Sequence, residues 1–187
     1  MAGKFVFLYA GRLAAEKGVG RILHAHRAAR QALPAGSVHL VIAGAGPQEA
    51  ALRAAAPEDV TFLGYLDRAQ ALPELYASCD AFVFSSFTEM LGLVVLEAMA
   101  SGLPVIAAPV GGVADHLHDR ENGLAYAPSS AAGMVNALLT SVRDRELARR
   151  LASGARAAAQ ELCWTKEIDR LDASYRELCA MRTAVPA

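Results

Sequence analysis

Cysteine is scarce in this chain, and so is any excess of charge. Cys79, Cys163 and Cys179 are odd in number and widely spaced. That excludes a disulfide framework and a zinc pattern, and it points to a reducing compartment. Lysine and arginine total 18 against 19 aspartates and glutamates, for a net charge of −1. A nucleic-acid surface would need a basic excess that is absent here. No apolar run approaches the roughly 20 residues that a membrane span needs. No secretory signal opens the chain either, because Phe5-Val6-Phe7-Leu8-Tyr9 is only strand-length and leads into Gly11-Arg12. A cytoplasmic protein is the expectation. Internal repeats, low-complexity tracts and linkers are also lacking. What is present is 187 residues, 54% of them hydrophobic, enough for one substantial domain.

Short apolar runs alternate with longer Ala-rich periodic ones. Strands are expected at 4–9, 38–43, 60–63, 81–84, 104–107 and 124–126. Helices are expected at 18–33, 46–56, 68–79, 91–101, 129–141, 144–161 and 166–181. Such alternation predicts a parallel sheet of about six strands with helices on both faces. His39-Leu40-Val41-Ile42-Ala43 is continuously apolar after its first residue, as a strand covered on both faces should be. Ligands of such sheets bind beyond the carboxyl ends of the strands. Gly11-Arg12, Gly44-Ala45-Gly46, Gly64-Tyr65, Ser85–Gly92 and Pro109–Gly112 all follow strands and should converge on one rim.

Glu89 and Glu97 are the most informative residues on that rim. They sit eight apart across an expected strand-to-helix joint containing Gly92. The first amides of a helix have no partner within it, and the helix dipole favours negative charge there. Glu97 would lie about five residues into the helix, about 7–8 Å along its axis. A diphosphate on the amides would leave one carboxylate near each end of a nucleotide-sugar, whose hydroxyls both can accept. Glu89 has a competing reading, since Ser86-Phe87-Thr88-Glu89 fits a capping box. That box would put Gly92 inside the helix, costing about 1 kcal/mol against Ala. A helix starting nearer Leu91 avoids the cost and frees Glu89, and is preferred. Glu97 is surrounded by apolar residues, with no basic residue at i+3 or i+4, so a tertiary partner or a ligand hydroxyl must satisfy it.

Arg12 and Lys17 flank the first strand exit and could neutralise a diphosphate. Gly44-Ala45-Gly46-Pro47 lacks the third glycine of a dinucleotide fingerprint and reads as a tight turn. His24/His26 and His116/His118 are i, i+2 pairs that do not face one way on a helix. They read as solvated or core-edge histidines, not metal ligands. No Asp-x-Asp occurs to hold a metal–nucleotide, and Asp115 and Asp119 read as surface residues of a short helix.

Gly11-Arg12-Leu13…Glu16-Lys17-Gly18, Leu40–Pro47, Val60–Tyr65, Leu75-Tyr76…Cys79-Asp80, Ser85–Gly102 with its Glu-x7-Glu, Pro104–Ala107 and Asn122-Gly123 occur in an order that resembles one family. The chain is similar to the C-terminal, donor-binding domain of a GT-B glycosyltransferase of group 1 (GT4), a Rossmann-like half of a two-domain fold. The resemblance runs from about residue 4 to residue 145, and more loosely to the end. It implies transfer of a sugar from a UDP- or GDP-sugar with retention at the anomeric carbon and without a metal or other cofactor. It further implies catalytic roles for Arg12, Lys17 and Glu89. Arg12 and Lys17 would hold the diphosphate, Gly92, Leu93 and Val94 would offer amides, and Glu97 would bind the ribose. Glu89 would contact the donor sugar, with Gly11 and main-chain groups at Tyr65 and Leu66 edging the nucleotide. Ser85-Ser86 stands where many relatives have Pro-Ser, a change expected to matter little. Met90-Leu91 replaces a frequent aromatic and bears on the sugar pocket.

The resemblance also implies an N-terminal acceptor domain for which this chain has no room. Met1-Ala2-Gly3 resembles a cut at the domain boundary, and residues 1–187 are expected to form a single donor-binding domain. The helix from Trp164 to Met181 in relatives crosses to the other domain, and Ile168, Leu171, Tyr175 and Leu178 here form an apolar stripe that would lose part of its partner. An isolated chain of this kind should bind nucleotide but not transfer sugar, and any peripheral membrane association would come through the absent half. The alternative expectation is a natural split subunit that works only when docked to a chain carrying the acceptor site.

Overall fold

The computed structural model describes residues 3–183. Met1 and Ala2, part of the segment resembling a domain cut, lie outside them. The strands are β1 (Phe5–Ala10), β2 (Val38–Ala43), β3 (Val60–Gly64), β4 (Ala81–Phe84), β5 (Val105–Ala107) and β6 (Gly123–Ala125). The helices are α1 (Val19–Gln31), α2 (Glu49–Ala55), α3 (Ala71–Ala77), α4 (Leu93–Ala100), α5 (Ala131–Arg143), α6 (Arg145–Glu161) and α7 (Trp164–Thr183). Each element lies where its apolar period predicts. The two latest starts, those of α2 and α3, have local causes. Pro47 and Gln48 form a turn ahead of α2. The Asp67 carboxylate accepts from the amides of Ala69 (3.1 Å) and Gln70 (2.8 Å), which holds that stretch as a turn before α3. Two later helices have side-chain caps, Ser130 accepting from the Gly133 amide and Asp144 from the Leu147 amide.

All strand pairs are parallel, in the order β3-β2-β1-β4-β5-β6. Every residue of β1, β2, β4 and β5 is buried. A fully buried Leu or Phe contributes about 1.5–3 kcal/mol, so Leu8, Leu40, Phe82 and their neighbours supply the main adhesion of the sheet. The order reverses at β1 and β4. From there the chain runs outward through β2 and β3 on one side and through β5 and β6 on the other. The crossover helices cover the sheet, with α1 packed on α2 and α5, and α4 packed on α6. Between the carboxyl ends of β1 and β4 a crevice opens.

Two features depart from the sequence reading. No helix holds Asp115 and Asp119. A single 3-10 turn ends at Val113, Asp115 lies in the turn after it, and Asp119 accepts from the Ala125 amide (2.9 Å). His26 is not at the core edge but inside the core, 1% exposed, with its Nε2 3.2 Å from Asp59 Oδ2. His116 is buried too, while His24 and His118 are exposed. Among the described residues no helix is long and apolar enough to cross a membrane.

α7 stands apart. Trp164, Ile168, Leu171, Tyr175, Leu178 and Met181 are 56–72% exposed. The helix carries ion pairs of its own, Arg170 with Glu167 and Arg176 with Asp172, of the kind that support an exposed helix. A chain ending at Cys163 should therefore melt within about 2–4 °C of the full chain, the shift that about 1 kcal/mol makes in a domain of this size. Differential scanning calorimetry checks this.

His26 gives the pH dependence. Burial lowers its pKa more than Asp59 raises it. The unfolded chain takes up the proton first, so this contribution to stability is complete above about pH 6.5, the ordinary histidine value, and is lost as the pH falls below it. Urea midpoints should drop between about pH 7.5 and about pH 5.5, and less so in His26→Gln.

Candidate functional site

The crevice is built by two loops, one after β1 and one after β4. The first runs through Gly11 and Arg12 into a 3-10 turn at Ala15–Lys17 and reverses at Gly18, whose φ is 63°. The second runs from Ser85 to Gly92. Ser85 Oγ lies 2.8 Å and 2.9 Å from the carbonyl oxygens of Lys17 and Gly18 and donates to them. Ser86 Oγ donates to the carbonyl oxygens of Glu16 (3.3 Å) and Thr88 (3.2 Å). The two serines thus lash the loops together. At the position where the sequence departs from Pro-Ser, the Ser85 hydroxyl is the group that joins the two loops.

Glu89 lies ahead of α4. The helix begins at Leu93 with Gly92 as its N-cap, at φ 69°, and Ser86 caps nothing. The Glu89 carboxylate pairs with the Lys17 ammonium across the crevice. Its backbone is clamped from the far side, where the Gly112 amide donates to the Glu89 carbonyl (3.0 Å). Gly111 and Gly112 pass so close that a Cβ on either would overlap the carbonyl oxygen of Glu89 or Met90. Beneath lies Tyr9, whose hydroxyl donates to the Arg12 carbonyl (2.9 Å). Burial raises its pKa first, then the nearby carboxylates of Glu89 and Glu16, so the phenol keeps its proton.

Two adjoining chambers result. One, of about 480 Å³, is lined by Gly11, Arg12, Lys17, Glu89, Gly92, Leu93 and Val94 among others. The second, of about 430 Å³, shares Gly11, Arg12 and Val94 and adds Gly44, Ala45, Tyr65, Leu66, Arg68 and Glu97. Every residue expected at the site therefore lines one chamber or both. The amides at the start of α4 lack acceptors within the helix and belong to the first chamber. Arg12 sits at the shared wall, and among the described residues its guanidinium makes no ion pair or hydrogen bond, unlike the Lys17 ammonium.

Glu97, which the sequence left in need of a partner, has two. One oxygen pairs with Arg68 and the other accepts from the Tyr76 hydroxyl (3.2 Å). Burial and then Glu97 push the Tyr76 pKa upward. Sequence reading missed both partners. Arg68 is 29 residues and Tyr76 21 residues from Glu97, so no spacing rule links them. The Arg68–Glu97 pair is partly exposed, at 60% and 30%, and such a pair contributes little to stability, about 0–1 kcal/mol. Its interest is its place in the second chamber.

An all-parallel sheet in this strand order, with a charged crevice at the point of reversal, is Rossmann-like, and the structures it superposes on make it one half of a GT-B glycosyltransferase fold. Anabaena HepE, solved in complex with UDP and glucose, superposes with a TM-score of 0.80 at 26% identity, covering 94% of this chain and 49% of that one. Sucrose-phosphate synthase from Thermosynechococcus elongatus gives 0.81 at 30% identity, with coverage of 97% and 47%. The family model for glycosyl transferases group 1 matches residues 4–144, and the chain belongs to that family. Relatives include glycogen synthase of Mycobacterium tuberculosis, 35% identical over 82% of this chain and 38% of its own length. A GDP-mannose-dependent alpha-mannosyltransferase of the same species is 35% identical over 99% of this chain and 46% of its own length. The chain thus spans less than half the length of these relatives.

The clamp on Glu89 is testable without a ligand. Gly112→Ala must push the Met90 carbonyl away, and overpacking of this kind costs about 1–3 kcal/mol. Urea unfolding should register that loss, and amide hydrogen exchange across residues 85–92 should quicken.

Proposed function

We propose that this chain is the donor-binding half of a retaining, metal-independent glycosyltransferase that uses a nucleoside-diphosphate sugar. The observation that carries the reading is the pair of chambers meeting at Arg12, each with a carboxylate already held by a cation. In this reading the diphosphate lies at the shared wall. Arg12 offers it an unengaged guanidinium, Lys17 is shared between Glu89 and phosphate, and the amides of Leu93 and Val94 add donors at the helix start. As the bond to the sugar breaks, negative charge grows on the leaving diphosphate. Arg12, free to turn toward it, and Lys17, already held beside Glu89, would stabilise it, the task a metal would otherwise serve. Glu89 takes hydroxyls of the donor sugar in the first chamber, and Glu97 takes the ribose in the second. The main chain at Tyr65 and Leu66 borders the base, and Gly11 lets the backbone come close.

The Anabaena neighbour that holds UDP and glucose supports this use of the site, and the mannosyltransferase relative keeps GDP-sugars in view. The acceptor side is supplied by a second domain. Exposed Met90, Leu91 and Leu93 on the crevice lip and the bare stripe of α7 support a surface made to be covered. The chain alone therefore binds nucleotide and does not transfer sugar, and it works in the cytoplasm.

Calorimetric titration with UDP, GDP and ADP tests the reading. At least one diphosphate should bind, and chelator should leave the affinity unchanged. Arg12→Ala and Lys17→Ala should each weaken it by about tenfold or more, the worth of one charge-assisted hydrogen bond. No binding at millimolar concentration overturns the site, and sugar transfer by the chain alone overturns the proposed division of labour.

A further inference from the structure

We infer that Arg68 is a positioning residue for the nucleotide's ribose, fixing the Glu97 carboxylate in the plane that two neighbouring hydroxyls require. The inference rests on the donor-binding reading above and adds a residue to it.

Arg68 and Tyr76 approach Glu97 from different elements and take different oxygens. Arg68 comes from the turn after β3 and Tyr76 from α3. A carboxylate oxygen has two acceptor positions, so each oxygen keeps one. The Glu97 carboxylate is thereby held with a free acceptor position on each side, the arrangement that suits a vicinal diol. Without Arg68 it would be anchored by one phenol and could turn about it.

Arg68 also sets the charge of the site. The lining of the two chambers carries Arg12, Lys17 and Arg68 against Glu89 and Glu97. This surplus of one positive charge suits an anionic ligand, and removing Arg68 erases it. The arginine is itself held in place. Asp67 accepts from the amides of Ala69 and Gln70, which fixes the turn from which Arg68 reaches across. Because the Arg68 side chain is 60% exposed, the core does not depend on it.

The test compares UDP with 2′-deoxy-UDP and with inorganic pyrophosphate, by calorimetry on the full chain. In the wild type the missing hydroxyl should weaken binding by about tenfold, the factor a hydrogen bond to a charged group carries. In Arg68→Ala this ratio should fall to about twofold, while pyrophosphate binding changes less than the binding of UDP. Arg68→Lys should restore the charge without the fork and give an intermediate ratio. Asp67→Ala, which frees the turn but keeps the arginine, should lower the ratio in the same direction. An Arg68→Ala variant that discriminates as well as the wild type overturns the inference and leaves the donor-binding reading intact. So does a variant that loses UDP, 2′-deoxy-UDP and pyrophosphate equally. A wild type that binds no nucleotide at all overturns both.

Discussion

β1 and β4 lie side by side in parallel, and their chains leave in opposite directions. Everything at the site follows from that pairing. Two strands that end together but diverge leave room between their exits, and the loops filling the room are free to carry charge. The sheet below them is closed on both faces, so Phe7, Leu8 and Phe82 fix the positions of both exits. Ser85 then joins the loops directly through the carbonyls of Lys17 and Gly18. A rigid floor and a short lashing convert two surface loops into one wall.

The second constraint is electrostatic. Two carboxylates in one crevice would repel an anionic ligand and each other. Here each carboxylate has its own cation, drawn from a different element, so the crevice can present acceptors without presenting net negative charge. The partly exposed Arg68–Glu97 pair adds little to stability, and the more enclosed Lys17–Glu89 pair sits on a loop rather than in the core, so both pairs set the field of the crevice.

Much of this was legible in the sequence. The strands could be read because burial on both faces leaves continuous apolar runs, and the Glu89–Glu97 spacing could be read because one strand-to-helix joint carries both. Helix starts were less legible, since the turn at Asp67 borrows residues from the periodic pattern of α3. Arg68 and Tyr76 were invisible for another reason: their link to Glu97 exists only after β3, α3 and α4 have packed. The lashing by Ser85 and Ser86 was invisible too, because the carbonyls of Glu16, Lys17 and Gly18 that they reach belong to a loop distant in sequence. Asp115 and Asp119 lie on the surface as read, but not on a helix, because the single turn at Gly111–Val113 only resembles a helix start.

Tyr9 gives the crevice its chemical temper. The largest polar group on the floor is a phenol whose proton is retained by burial and by the carboxylates above it, while its hydroxyl is spent on the Arg12 carbonyl. The first chamber's lining contains no histidine, and its one carboxylate is tied to an ammonium. Such a lining holds charge in place: its polar groups are already committed to one another, and a charged ligand entering the chamber meets a field set before it arrives.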